Sequence, residues 1–219
     1  MNAPAAEIRQ LHLPLQQETP QRASDLAISE ANAAGVAALA AWPEAPGAVL
    51  ALFGPAGCGK SHLAAAWVER TGAIALHGAE AALVDPLELE GRPVLLDRAQ
   101  DADDESLFHL INLTQSGGGA LLLVSRDPPA SWAADLPDLR SRLNAIRTVG
   151  IEAPDDVVFA AMLRRAFASR NITPADELID YLVRRIDRSA EAAEAVVDRL
   201  DALHRPVTRV LARQVLDGE

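Results

Sequence analysis

Lysine is almost absent from this chain. Of its 20 basic residues, only Lys60 is a lysine and the rest are arginine. Cysteine is nearly as scarce: Cys58 stands alone, which excludes an intrachain disulfide framework and fits a reducing compartment. Aromatic residues make up 4% of the chain, so Ala, Leu and Val must do most of the packing. No apolar run approaches membrane-spanning length, and the N-terminus lacks a basic region followed by a hydrophobic core. The expectation is a soluble, cytoplasmic protein with no membrane partner. Positive charge is also in deficit. A formal net charge of −11 argues against autonomous, nonspecific DNA binding, which rests on basic surface. Most of the excess falls before residue 154; from Pro154 onward 12 acids face 10 bases. A solvated acidic surface is its plainest meaning. At 219 residues the chain suffices for one domain, or for one with a smaller subdomain.

The single lysine sits in Gly54-Pro55-Ala56-Gly57-Cys58-Gly59-Lys60-Ser61. Before it, Ala48-Val49-Leu50-Ala51-Leu52-Phe53 reads as a buried parallel strand. After it, His62-Leu63-Ala64-Ala65-Ala66-Trp67-Val68 is rich in helix formers. Strand, G-x-x-x-x-G-K-[ST], helix is a phosphate-binding loop in the context that supports one. Its glycines let backbone N–H groups turn inward around phosphate oxygens, aided by the positive end of the next helix. Lys60 is expected to neutralise the β- and γ-phosphates, and the Ser61 hydroxyl to hold Mg²⁺. Gly54 through His62 are therefore candidate nucleotide ligands, Cys58 through its backbone. The plainer reading is a glycine turn between strand and helix.

The rest of the chain supplies a frame for such a loop. Residues 1–24 are rich in Gln, Pro, Ala and Thr and are expected to form a flexible tail. An Ala-rich helix should follow before Trp42, with Ser29 as N-cap and Pro43 as stop. Further strands are expected at 73–76, 93–97, 120–125 and 148–151, with helices at 101–115 and 136–146. Residues 79–92 read as a short helix and a loop. Beyond Pro154, residues 155–169, 174–186, 189–204 and 206–216 read as four helices. Pro174 and Pro206 are expected in first turns, and Ser189 as a cap. The prediction is an α/β base over 25–153, a five-stranded parallel sheet flanked by helices, then an all-α lid over 154–219.

Within that frame Asp97 ends an apolar strand, Pro93-Val94-Leu95-Leu96-Asp97, at the edge where phosphates would lie. It is a second candidate for Mg²⁺, with helix capping as the alternative. The next position, where ATP-hydrolysing proteins usually carry an acid, is Arg98, and a cation cannot act as a general base. Ser125, ending another strand before Arg126-Asp127-Pro128-Pro129, is placed to sense a phosphate or merely to make a turn. The His residues at 12, 62, 77, 109 and 204 share no metal-ligand spacing, and no nucleophile motif is present. Trp42, Trp67 and Trp132 are expected in packing roles.

GPAGCGKSHL, LLDRAQ, VSRDPP, LRSRL and RPVTRVLAR together resemble the AAA+ ATPases of the replication-initiator DnaA branch, over residues 25–219. In front of them, Gln10-Leu11-His12-Leu13-Pro14-Leu15 suits an extended peptide that drops leucines into an apolar pocket. It resembles the peptide by which bacterial replication proteins bind the sliding clamp; the alternative is a tether to its own domain. The combination, without the initiator's amino-terminal domains and DNA-binding domain, resembles the regulatory inactivators of DnaA, the Hda-type family.

That resemblance implies a negative regulator of replication initiation that binds ADP or ATP with Mg²⁺. Gln10, Leu11, Leu13, Pro14 and Leu15 would bind the DNA polymerase III beta sliding clamp, so DNA is met only through the clamp. Arg142, in Leu139-Arg140-Ser141-Arg142-Leu143, would be an arginine finger that stimulates hydrolysis of DnaA-bound ATP. Arg209 would be the lid's phosphate sensor, and Ser125 the first sensor. A surface salt bridge is the alternative for Arg142, and pairing with a lid acid for Arg209. Arg98, Arg126 and Asp138 depart from the family pattern and predict weak or absent ATP turnover by the chain itself. A self-sufficient ATPase and a DnaA-like module recruiting proteins to DNA are the competing readings. Homodimerisation stays open.

Overall fold

The structure, a computed structural model, describes residues 27–218. The clamp-type peptide, residues 10–15, lies outside the described residues.

Five short segments form the sheet: β1 (Ala48–Phe53), β2 (Ile74–His77), β3 (Pro93–Asp97), β4 (Ala120–Ser125) and β5 (Arg147–Gly150). They lie in the order β2-β3-β4-β1-β5, with every neighbouring pair parallel. Parallel strands need helices on both faces, and alternation along each strand divides the core in two. Ala51, Val94, Leu96, Leu121 and Leu123 point to one face, where they meet Leu107, Leu110 and Ile111 of α4 (Asp104–Gly117) and Leu139 and Leu143 of α5 (Pro137–Ala145). Leu50, Leu52, Leu95, Leu122 and Val124 point to the other. There they meet Leu39 of α1 (Ala33–Ala41) and Leu63, Ala64 and Trp67 of α2 (Lys60–Thr71). Trp42 and Trp67 tilt together there at 5.1 Å between ring centroids, in the packing role expected of them. Between β2 and β3 runs a 3₁₀ turn, Gly78–Leu83, and the one-turn α3 (Pro86–Leu89).

The four C-terminal helices, α6 (Asp156–Ala168), α7 (Asp176–Val183), α8 (Ala190–Asp201) and α9 (Arg209–Asp217), enclose their own core. Phe159, Leu163, Phe167, Ile179, Leu182, Val197 and Leu200 are its buried centre.

Several element ends differ from the expected ones, each for a local reason. The hydroxyl of Ser29 does not cap α1. It accepts from the amide of Ala31 at 3.2 Å, while the helix begins at Ala33 after Asn32. α4 starts at Asp104, not 101, because the Asp103 carboxylate takes the cap by accepting from Ser106 N at 2.9 Å. Pro174 and Pro206 precede their helices instead of opening them. α9 begins at Arg209 because Thr208 Oγ1 accepts from Leu211 N at 3.2 Å, and α7 begins at Asp176. Ser189 does cap α8, accepting from Ala192 N at 3.1 Å.

Candidate nucleotide-binding site

The loop from Gly54 to Gly59 leaves the carboxyl end of β1, between β4 and β5, and runs straight into α2. Ligands of parallel sheets lie at that edge. Gly59, with φ of 97°, is the left-handed residue before Lys60, so the loop turns sharply and the first amides of α2 open toward the cleft. Gly57 has φ of 70°, and a Cβ there would lie 2.7 Å from Cβ of Ser189. Its carbonyl accepts from Ala190 N at 3.3 Å, so the start of α8 rests on the phosphate loop.

Lys60 is only 8% exposed. Its ammonium donates to the carbonyls of Gly54 at 2.8 Å and Pro55 at 2.7 Å, with Cys58 Sγ 3.7 Å away. A buried cation held by neutral carbonyls retains its whole charge for an anion that enters the loop. A backbone cradle that a side chain would fill, a buried ammonium and a helix N-terminus together fit a polyphosphate.

The cleft has a volume of about 290 Å³, at the small end of the range for small-molecule sites. One wall is the loop from Gly57 to Leu63. The other is Met162 and Arg165 of α6 with Glu194 of α8. Asn32, 4% exposed, closes one end. Its side-chain amide donates to Ala27 O at 2.8 Å and its oxygen accepts from Ser29 N at 3.0 Å, fixing the chain before α1. Arg165 donates to the His62 ring across the cleft. None of Asn32, Met162, Arg165 and Glu194 was singled out by sequence, since no local pattern tells which helix face will meet a loop a hundred residues away.

The remaining candidates are not in the lining of this cleft. Asp97 ends β3 and its carboxylate accepts from the Arg98 amide at 2.8 Å. It caps no helix there. With Ser61 it would give Mg²⁺ two protein oxygens, the rest of the shell coming from phosphate and water, as that ion prefers. Among the described residues no cluster of three or more His, Cys, Asp or Glu could hold a metal alone. Arg98 takes a left-handed backbone, φ 50°, and its guanidinium pairs with Asp101 at 3.2 Å. The Ser125 hydroxyl donates to Asp127 O at 2.7 Å, the turn role allowed for it. Arg209 lies with its guanidinium 5.5 Å from the Tyr181 ring centroid, while Arg185 lies 5.4 Å from the same centroid.

Arg142 is outside the cleft, half-buried on α5. Its guanidinium lies 5.1 Å from the Phe108 ring centroid and donates to Oε1 of Gln115, both on α4. Among the described residues no carboxylate pairs with it. Arg140 is tied to the Ala134 carbonyl at 2.6 Å.

A crystal structure of domain III of the Thermotoga maritima replication initiation protein DnaA superposes with a TM-score of 0.72. It covers 89% of this chain and 95% of that one at 17% identity. The fold is that of DnaA domain III. AMPPCP-bound DnaA from Aquifex aeolicus superposes with a TM-score of 0.64 over 83% of this chain and 65% of that one, at 18% identity. In sequence, the chromosomal replication initiator protein DnaA of Thermomicrobium roseum is 29% identical over 123 residues, which is 53% of this chain and 26% of that protein. DnaA of Cutibacterium acnes is 29% identical over 116 residues, 51% and 23% respectively. The chain thus spans about a quarter of the length of these DnaA relatives. No protein-family model matches it. The parallel five-stranded sheet, its flanking helices and the helical C-terminal region match the fold of DnaA domain III.

Proposed function

We propose that this protein holds an adenine nucleotide in the cleft beneath its C-terminal helices and acts on the ATP of a DnaA-type initiator, not on its own. The observation that carries this reading is the contrast between two arginines. Arg98 occupies the position after Asp97 where a hydrolysing site needs an acid, and its guanidinium is engaged with Asp101. Arg142 is displayed on α5 with no carboxylate partner among the described residues, stacked and hydrogen-bonded at its edge by α4. A planar fork held in this way suits charge developing on a neighbouring molecule's γ-phosphate. The similarity to DnaA supports an initiator as that neighbour, because AAA+ domains of one kind dock on one another.

In this reading Lys60 and the amides from Gly57 to His62 bind the phosphates. Ser61 and Asp97 hold Mg²⁺, which screens the phosphate charge. Arg209 leaves Tyr181 to reach the nucleotide when the lid, residues 154–219, closes on the base, residues 25–153. Residues 10–15 would bind the DNA polymerase III beta sliding clamp. That tether raises the local concentration of the two AAA+ proteins without a large direct interface. The result is negative regulation of replication initiation.

The deciding experiment measures hydrolysis of initiator-bound ATP on clamp-loaded DNA with and without this protein. Stimulation that disappears with Arg142→Ala is expected, along with slow ATP turnover by the chain alone. Full stimulation by Arg142→Ala would overturn the proposal, and rapid turnover by the isolated chain would favour a self-sufficient ATPase.

A further inference from the structure

Arg165 has an unusual partner for a cation inside a cleft. It is half-buried on α6, and among the described residues no carboxylate pairs with it. Among the described residues the only acid in the lining, Glu194, is committed to Arg170 at 3.0 Å. Arg165 instead donates to the ring of His62, in the first turn of α2 and two residues past Lys60. An imidazole ring carries no negative charge and compensates a half-buried guanidinium poorly. Lys60 and the first turn of α2, the helix's positive end, line the same cleft as Arg165. Three positive features converge with no anion among their described partners.

We propose that Arg165 is a phosphate-binding residue of the nucleotide site, reaching the ligand from the C-terminal helices by exchanging His62 for a phosphate oxygen. This rests on the reading of the cleft as a nucleotide site and adds to it a ligand from the opposite wall. A guanidinium presents paired N–H groups that match phosphate oxygens, and a charge-assisted bond replaces one to an imidazole ring. Arg165 also carries the consequence across the molecule. It belongs to α6, so phosphate held by it and by Lys60 ties the helical bundle to the sheet.

Calorimetric titration of the full chain with ADP, AMP and adenosine tests the inference. Wild type should bind ADP. Arg165→Ala and Arg165→Gln should both weaken ADP and AMP about ten- to hundredfold while leaving adenosine affinity, measured by competition, unchanged. Circular dichroism melts of the two variants check that they fold, and the glutamine variant keeps the side chain's bulk if alanine does not. Equal ADP affinity in wild type and either folded variant would overturn the role of Arg165 and leave the cleft reading intact. Loss of adenosine together with ADP would make Arg165 a packing residue and overturn it too. Failure of the wild-type chain to bind ADP at all would overturn both.

Discussion

The amide of Ala190 donates to the carbonyl of Gly57 at 3.3 Å, joining the first residue of α8 to the phosphate loop. The contact is close because position 57 has no side chain. A Cβ would sit 2.7 Å from Ser189 Cβ and 3.0 Å from Ala190 N, and φ there is +70°. Gly57→Ala must therefore strain the loop or lift α8 from it. The left-handed backbone alone costs about 1–2 kcal/mol, and the clash with helix backbone adds to it. A fall in Tm of several degrees is expected, with loss of ADP binding by calorimetry. Unchanged ADP affinity would mean that the contact between loop and α8 is incidental.

Lys60 holds two loop carbonyls at 2.7 and 2.8 Å while only 8% exposed, and in the proposed reading those bonds give way to phosphate. Hydrogen bonds to a charged group contribute about 1.5–3 kcal/mol each. Lys60→Ala should weaken ADP about ten- to hundredfold or more. Lys60→Arg should fare little better, since the planar fork is larger than the point charge this loop encloses. Thermal shift is the convenient readout. ADP should raise the Tm of the wild type through mass action and leave that of Lys60→Ala nearly unmoved.

Two helix caps give the protein a sensitivity to acid. The hydroxyl of Ser29, then the Val158 amide and the Arg188 charge, hold the Asp155 carboxyl below its ordinary value; the Ser106 amide and hydroxyl do so for Asp103. A depressed folded-state pKa stabilises fully above the unfolded value of about 3.9. That stabilisation is lost as pH falls through the lower folded-state value. Asp155→Ala should cost about 1 kcal/mol at pH 7, the usual worth of a cap. The difference from wild type should narrow at pH 3. Urea melts at both pH values measure it, and an equal loss at the two would assign the effect to packing rather than charge.

The central strands β1, β3 and β4 were readable because they are short runs made mostly of Val, Leu and Ala. β4 is buried along its whole length, and no competing period exists within six residues. The glycine loop before α2 was readable because its pattern is local: Gly57, Gly59 and Lys60 fall within one turn of chain. Helix starts were less readable wherever two polar residues competed for the cap. Asp103 displaced the expected start at 101, and Thr208 displaced Pro206, each by offering an oxygen to an amide three residues on. The far wall of the cleft was not readable at all. Arg165 and Glu194 look like any solvent-facing residues of amphipathic helices, and only the seating of α6 and α8 over the loop brings them to it.

Arg142 would act in trans only if its fork arrives already oriented, and two α4 residues provide that. Phe108 offers a ring face 5.1 Å away and Gln115 an acceptor oxygen. Cation–π contacts at partly exposed sites contribute about 0.5–1 kcal/mol, so the pair should position the guanidinium without holding it back. Phe108→Leu keeps the apolar contact with the core and removes the ring face. It should lower stimulation of initiator-bound ATP hydrolysis several-fold, and Gln115→Ala should do the same. Arg142→Ala should abolish the effect, a loss on the order of 10³-fold by the usual worth of such a residue. Arg142→Lys should recover little of it, because an ammonium lacks the two parallel donors. Single-turnover rates at saturating protein separate these outcomes from weakened docking. Were Arg142→Lys to restore full stimulation, a point charge would suffice and the geometry around Phe108 and Gln115 would have no part in it.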